Sequence, residues 1–170
     1  MLIYDPALDP YHSAVRILSI LLAAAQREIV VSVDAARIAD YFLVYPYKIR
    51  SFRLPTDFKD IRKAATESDN PYRRSTGARA AFERMRPIFF SALTGLVAAG
   101  LVDEEALKDG PLSLSRTDLP PDLLSAIARF QGRQTKVGHF VLSELIRIPS
   151  NGINGLKDRS GLIEFRYDIA

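Results

Sequence analysis

Between His12 and Arg27 the chain carries a segment that reads as a helix apolar over most of its circumference. Such a helix has to lie in the middle of a core or against a partner. Its polar residues, His12, Arg16, Ser19, Gln26 and Arg27, fall with Ala23 on one narrow stripe at helical spacing. Ala14, Val15, Ile17, Leu18, Ile20, Leu21, Leu22, Ala24 and Ala25 cover the rest. Asp9-Pro10 opens the helix, because Asp accepts hydrogen bonds from the first free N–H groups and Pro at the first helical position gives up nothing. The longest apolar run, Ile17–Ala25, contains Ser19 and is far short of the ~18 residues of a membrane span.

The segments that follow set out an order of elements. Ile29–Val33 is β-branched and reads as a short strand. Ser32 or Asp34 can cap a second helix, whose Ala35, Ile38, Ala39, Phe42 and Leu43 follow the i, i+3, i+4, i+7, i+8 pattern before Pro46 ends it. Thr56 can cap a short helix over 57–67 with Phe58, Ile61 and Ala65 inward, and residues 68–77 are loop by every local signal. Ser75 or Thr76 starts a helix through Arg86. Pro87 kinks or restarts it, and Ile88–Ala99 runs on to a stop at Gly100 with Phe89, Leu93, Leu96 and Val97 buried. Residues 107–114 suggest a small hairpin. Two further helices follow, one opened by Asp118-Leu-Pro-Pro with Leu123, Leu124, Ile127 and Ala128 inward, the other burying Val137, Phe140, Val141 and Leu145. Residues 149–161 read as a long loop. The end, Leu162–Ile169, alternates strictly and predicts a half-buried strand, for which Ile29–Val33 offers a mate.

The predicted fold class is therefore α+β, mostly α. Helix, strand, helix, then a helix ending in Gly100-Leu-Val and a hairpin is the order of a winged helix-turn-helix. The expected organisation of residues 1–170 is one domain. It has a winged-helix-like core over about 10–45 and 87–115, a basic insertion at 46–86, and additional helices and a strand at 118–170.

Charge singles out the insertion. Residues 46–86 hold eleven Lys and Arg against five acids, a surplus of six, while the flanking stretches are near neutral or slightly acidic. A localised field of this kind steers an acidic partner, either nucleic acid or an acidic protein surface. Arg62, Lys63, Arg73, Arg74 and Arg79 are the candidates for anion contact, and Tyr72 could stack on a base or an Arg. The competing reading is a solvated loop whose arginines pair with Asp57, Asp60, Glu67 and Asp69.

Other motifs carry no chemistry. The outward positions of Ile88–Ala99 are Ser91, Thr94, Gly95 and Ala98, none of them a base-reading side chain, which argues against sequence-specific DNA recognition. His12 and His139 are the only histidines, there is no cysteine, and no ligand spacing joins them, so neither a metal nor another cofactor is expected. Asn151-Gly-Ile-Asn-Gly155 has GxxG spacing but no basic residue between its glycines, and reads as a turn. No catalytic motif is present, so the chain reads as a binding protein and not an enzyme. The start, Met1-Leu-Ile-Tyr-Asp-Pro, lacks a basic n-region, and with no cysteine the expectation is a cytoplasmic protein.

Three stretches resemble a known family. Residues 11–22 (YHSAVRILSILL), 36–49 (ARIADYFLVYPYKI) and 91–102 (SALTGLVAAGLV) are similar to the middle components of bacterial ABC-three-component systems, the group that includes the Lamassu anti-phage operons. The resemblance implies a small non-catalytic adaptor between an SMC/Rad50-like ATPase and an effector, often a nuclease. It further implies an obligate hetero-oligomer that reaches DNA through the complex and no membrane. The alternative is a winged-helix DNA-binding transcriptional regulator.

Overall fold

The structure, a computed structural model, describes residues 4–67, 69, 77–116 and 118–164. It is mostly helical with one small antiparallel sheet, in line with the expected α+β, mostly α class.

The first helix, α1 (Pro10–Ala25), opens as its sequence dictates, with the Asp9 carboxylate accepting from the N–H of Tyr11 at 2.8 Å and of His12 at 3.4 Å. It packs against four later helices and occupies the middle of the core. Its own fold therefore covers it, and no partner is needed to do so. The middle of the polar stripe is buried too. Arg16, Ser19 and Ala23 are only 3%, 0% and 5% exposed. The Ser19 hydroxyl donates to the carbonyl of Val15 at 2.7 Å, which satisfies it inside the helix. Arg16 is paired with a residue that helical spacing could not reveal.

That residue lies on α2 (Val33–Val44). Ser32 caps this helix, its hydroxyl accepting from the Ala35 N–H at 3.1 Å. Ala35, Ile38, Ala39, Phe42 and Leu43 are buried as the periodicity predicts. So are Ala36, Arg37, Asp40 and Tyr41, because neighbours enclose α2 on more than one side. Before it, β1 (Val31–Ser32) pairs antiparallel with β2 (Pro111–Leu112), in the register Val31 with Leu112 and Ser32 with Pro111. A further bridge joins Val102 to Leu114. The hairpin is thus wider than residues 107–114. It closes at Val102 and encloses a 3₁₀ turn over Glu104–Lys108 that the Asp103 carboxylate caps.

After α2 the chain makes 3₁₀ turns at Pro46–Ser51 and Thr56–Phe58 and enters α3 (Lys59–Glu67). Pro55 takes the position before that turn, and Thr56 supplies no cap. Ile61 and Ala65 are buried, and the Phe58 ring meets Phe140 edge-on at 4.9 Å, as the inward positions required. The next helix, α4, is one continuous element, Ala78–Ala98, with Pro87 inside it. Its predicted start at Ser75 or Thr76 lies outside the described residues. It ends at Gly100 in the left-handed conformation (φ +68°). The N–H groups of Gly100 and Leu101 return to the carbonyls of Val97 and Leu96.

The remaining helices are α5 (Pro121–Gly132), α6 (Lys136–Ser143) and α7 (Leu156–Ser160). In α5 the inward set is Leu123, Ala126, Ile127 and Phe130, an i, i+3, i+4, i+7 face. Leu124 and Ala128 are exposed, contrary to the expected inner face, because α1 contacts a single stripe of a helix at the edge of the fold. The expected loop at 149–161 contains α7, anchored by the fully buried Leu156. Of the terminal strand, residues 162–164 form none, Leu162 is buried, and 165–170 lie outside the described residues. Its expected mate, β1, is paired with β2.

Candidate functional site

The basic segment divides into paired and unpaired cations. Arg50 bonds Asp69 at 2.8 Å, and Arg53 reaches both the carboxylate and the carbonyl of Asp158 on α7 at 2.5 Å. A two-way clasp reinforces the second contact. The Arg53 N–H donates to the Arg159 carbonyl at 3.0 Å, and the Arg159 guanidinium donates to the Arg53 carbonyl at 2.6 Å. The Asn154 N–H, together with Arg53, holds the Asp158 carboxyl below the usual carboxylate range. Asp60 on α3 pairs with Lys136 of α6 at 2.7 Å, which likewise lowers its carboxyl. These contacts fasten residues 46–67 to α6 and α7.

With Asp60 and Asp69 committed elsewhere, Arg62 and Lys63 have no carboxylate partner among the described residues. Both are exposed on α3, and Lys59 joins them. Positions 59, 62 and 63 are i, i+3 and i+4, so the three cations share one outward face of a helix whose other face is fixed to the core. The sequence reading missed Lys59, although the spacing that reveals it is plain in the chain. Arg79 stands apart on α4, where it pairs with Glu164 at 3.2 Å. Tyr72, Arg73 and Arg74 lie outside the described residues. Of the six candidates the structure thus brings together two, Arg62 and Lys63.

The outer face of α4 is as neutral over its second half as expected, with Ser91, Thr94, Gly95 and Ala98 all exposed. Because α4 is continuous through Pro87, its first half adds exposed cations to the same helix. These are engaged within the fold. Arg84 lies beside the Tyr45 phenol, Arg86 sits 5.9 Å from the Phe90 ring, and Arg79 bonds Glu164.

Beneath these surfaces runs a buried polar axis. The Arg16 Nε donates to Asp40 Oδ1 at 2.5 Å, and its Nη1 donates to the Pro6 carbonyl at 3.1 Å. Burial pushes the Asp40 carboxyl up, and the guanidinium beside it opposes that push. One turn away, Arg37 lies 4.5 Å over the Phe82 ring and within 3.6 Å of Glu83, tying α2 to α4. These pairs cross-link α1, α2 and α4, and they leave the Nη2 atoms of Arg16 and Arg37 without a hydrogen-bond partner among the described residues.

The chain matches the family model described as ABC-three component (ABC-3C) system Middle Component 5 over residues 2–168. It belongs to that family. No curated protein and no solved structure matches it. A middle component is one subunit of a multi-component system, and its partners are the system's other subunits. Among the described residues, no helix of this middle component is long and apolar enough to cross a membrane.

Proposed function

We propose that this middle component is a non-catalytic adaptor in an anti-phage defence complex, joining an SMC/Rad50-like ATPase to an effector nuclease. The observation that carries the reading is the α3 face of Lys59, Arg62 and Lys63. Three cations with no carboxylate partner among the described residues, on a helix clamped to α6 and the preceding turn, form a rigid basic surface for an acidic partner. A rigid surface loses little conformational freedom on docking, which favours assembly.

The core supporting this surface is read as winged-helix-like over about 10–45 and 87–115. Residues 46–86 are then an insertion, and 118–164 a helical extension of the same domain. Supporting that reading, the segment after α4 returns through a hairpin whose far strand pairs with β1, between the first two helices. The neutral second half of α4 favours an adaptor over a DNA-reading regulator. The test is co-expression of the chain with the neighbouring subunits of its operon, followed by native mass spectrometry. A stoichiometric complex that loses this subunit when Arg62 and Lys63 become Glu is the expected result. A chain that stays alone and binds a palindromic operator would overturn it.

A further inference from the structure

A second site lies on the opposite kind of surface, a concave one. A cleft of about 870 Å³ opens between the start of the chain, the end of α2 and the first half of α4. Its volume is in the range of small-molecule sites, roughly 300–1,000 Å³. Aromatic rings supply its walls. Tyr4 is held over His12 with ring centroids 5.6 Å apart, and its phenol donates to Asp9 at 2.5 Å. Tyr45 and Tyr47 meet edge-on at 6.3 Å, and Phe130 of α5 contributes another ring.

Cations complete it. Arg84 stands at the cleft beside the Tyr45 phenol, and a guanidinium has five donors. Lys48 lines the cleft, with its ammonium 5.5 Å from the Tyr47 ring. Arg16 also lines it, buried to 3% exposure, and its Nη2 has no hydrogen-bond partner among the described residues. That nitrogen is closed to solvent and the guanidinium is paired with Asp40, so Arg16 lies beneath the cleft floor and Arg84 is the exposed cation that a ligand can reach. The one acid in the lining, Asp5, caps the turn at Pro6–Leu8 by accepting from the Ala7 N–H and keeps its negative charge, which Lys48 and Arg84 outnumber.

We propose that this cleft binds a nucleotide-like anion, a planar ring carrying a phosphate, with the ring among the tyrosines and the phosphate toward Arg84. Aromatic faces stack on any base, and guanidinium forks match phosphate oxygens. A bare anion would leave the aromatic walls unused, and an aliphatic acid would gain little from them. The ligand is either a free mononucleotide or the phosphorylated end of a strand, since both present the same group.

The experiment is calorimetric titration of the full chain with the four ribonucleoside monophosphates, a 5′-phosphorylated single-stranded oligonucleotide, and inorganic phosphate. Saturable binding of a nucleotide or of the oligonucleotide, at least about tenfold tighter than phosphate, is expected. The tighter of the two names the source. Arg84→Glu should weaken it about tenfold or more, and Lys108→Glu, the same charge change on the hairpin, should leave it unchanged. Arg84→Gln, read beside the melting curve, serves the same purpose should the reversal unfold the chain. No saturable binding, phosphate binding as tightly as the nucleotides, or full affinity in a folded Arg84 variant would each overturn the proposal.

Discussion

Arg16 and Asp40, twenty-four residues apart in the chain, meet at 2.5 Å in the centre of the molecule and lock α1 to α2. Their side chains are only 4% and 2% exposed, so each charge depends on the other for solvation. Removing one partner leaves an uncompensated buried charge, a change that costs about 3–5 kcal/mol, whereas replacing both with apolar groups of similar volume is often neutral. Asp40→Ala should therefore lower the urea midpoint sharply, and the double replacement Arg16→Met with Asp40→Leu should recover most of the loss. A single variant costing under about 1 kcal/mol would show that the pair bears no structural load.

The cap of α1 is the next test. Asp9 accepts two backbone N–H groups and the Tyr4 hydroxyl, which together hold its carboxyl below the usual range, the phenol contributing most. Asp9→Ala should cost about 1 kcal/mol, the usual loss for an N-cap. In a chain of this length that is a fall of about 2–4 °C in Tm by calorimetry. Asp9→Asn keeps an acceptor and should lose much less.

The clasp between Arg53 and α7 gives a pH dependence with a definite sign. The folded Asp158 carboxyl lies below its unfolded value, so its contribution is present above the unfolded pKa, about 4. It is lost as pH falls through the folded value. The melting temperatures of the wild-type chain and of Asp158→Asn should thus differ at pH 7 and converge in acid. A difference that widens as pH falls would contradict the clasp.

Gly155, which precedes α7, tests the same anchor through the backbone. A Cβ there would stand 2.4 Å from the Asn151 carbonyl oxygen and 2.9 Å from that of Pro149. Both are main-chain atoms, which cannot swing aside. Gly155→Ala should destabilise by about 1–3 kcal/mol, the usual range for overpacking. It should also expose the Arg53 backbone amide to faster hydrogen exchange than the amides of α1.

The α3 face separates docking from DNA contact. Arg62→Ala with Lys63→Ala should leave stability within about 0.5 kcal/mol, as for exposed side chains away from the core. It should make assembly with the partner subunits weaker and more sensitive to salt, while DNA affinity of the complex stays unchanged. A salt slope for DNA that flattens by about one unit per lost contact would assign the face to phosphates instead.

By itself the sequence determined what depends on neighbours a few residues apart. The burial of α1, in a core or on a partner, follows from an apolar circumference, the inner face of α2 from its i, i+3, i+4 spacing, the stop at Gly100 from the left-handed residue a helix end needs, and the neutral outer positions of α4 from its periodicity. Only the tertiary structure decided which charges meet. Spacing put Arg16 and Ser19 on one polar stripe without naming what covers it; both are buried, Arg16 against Asp40 of α2 and Ser19 on the Val15 carbonyl. Within the basic segment, Asp60 turned to Lys136 and Asp69 to Arg50, which left Arg62 and Lys63 as a separate surface. Helical spacing states which residues share a face. The crossing of two helices far apart in the chain states what that face touches, and no local pattern encodes it.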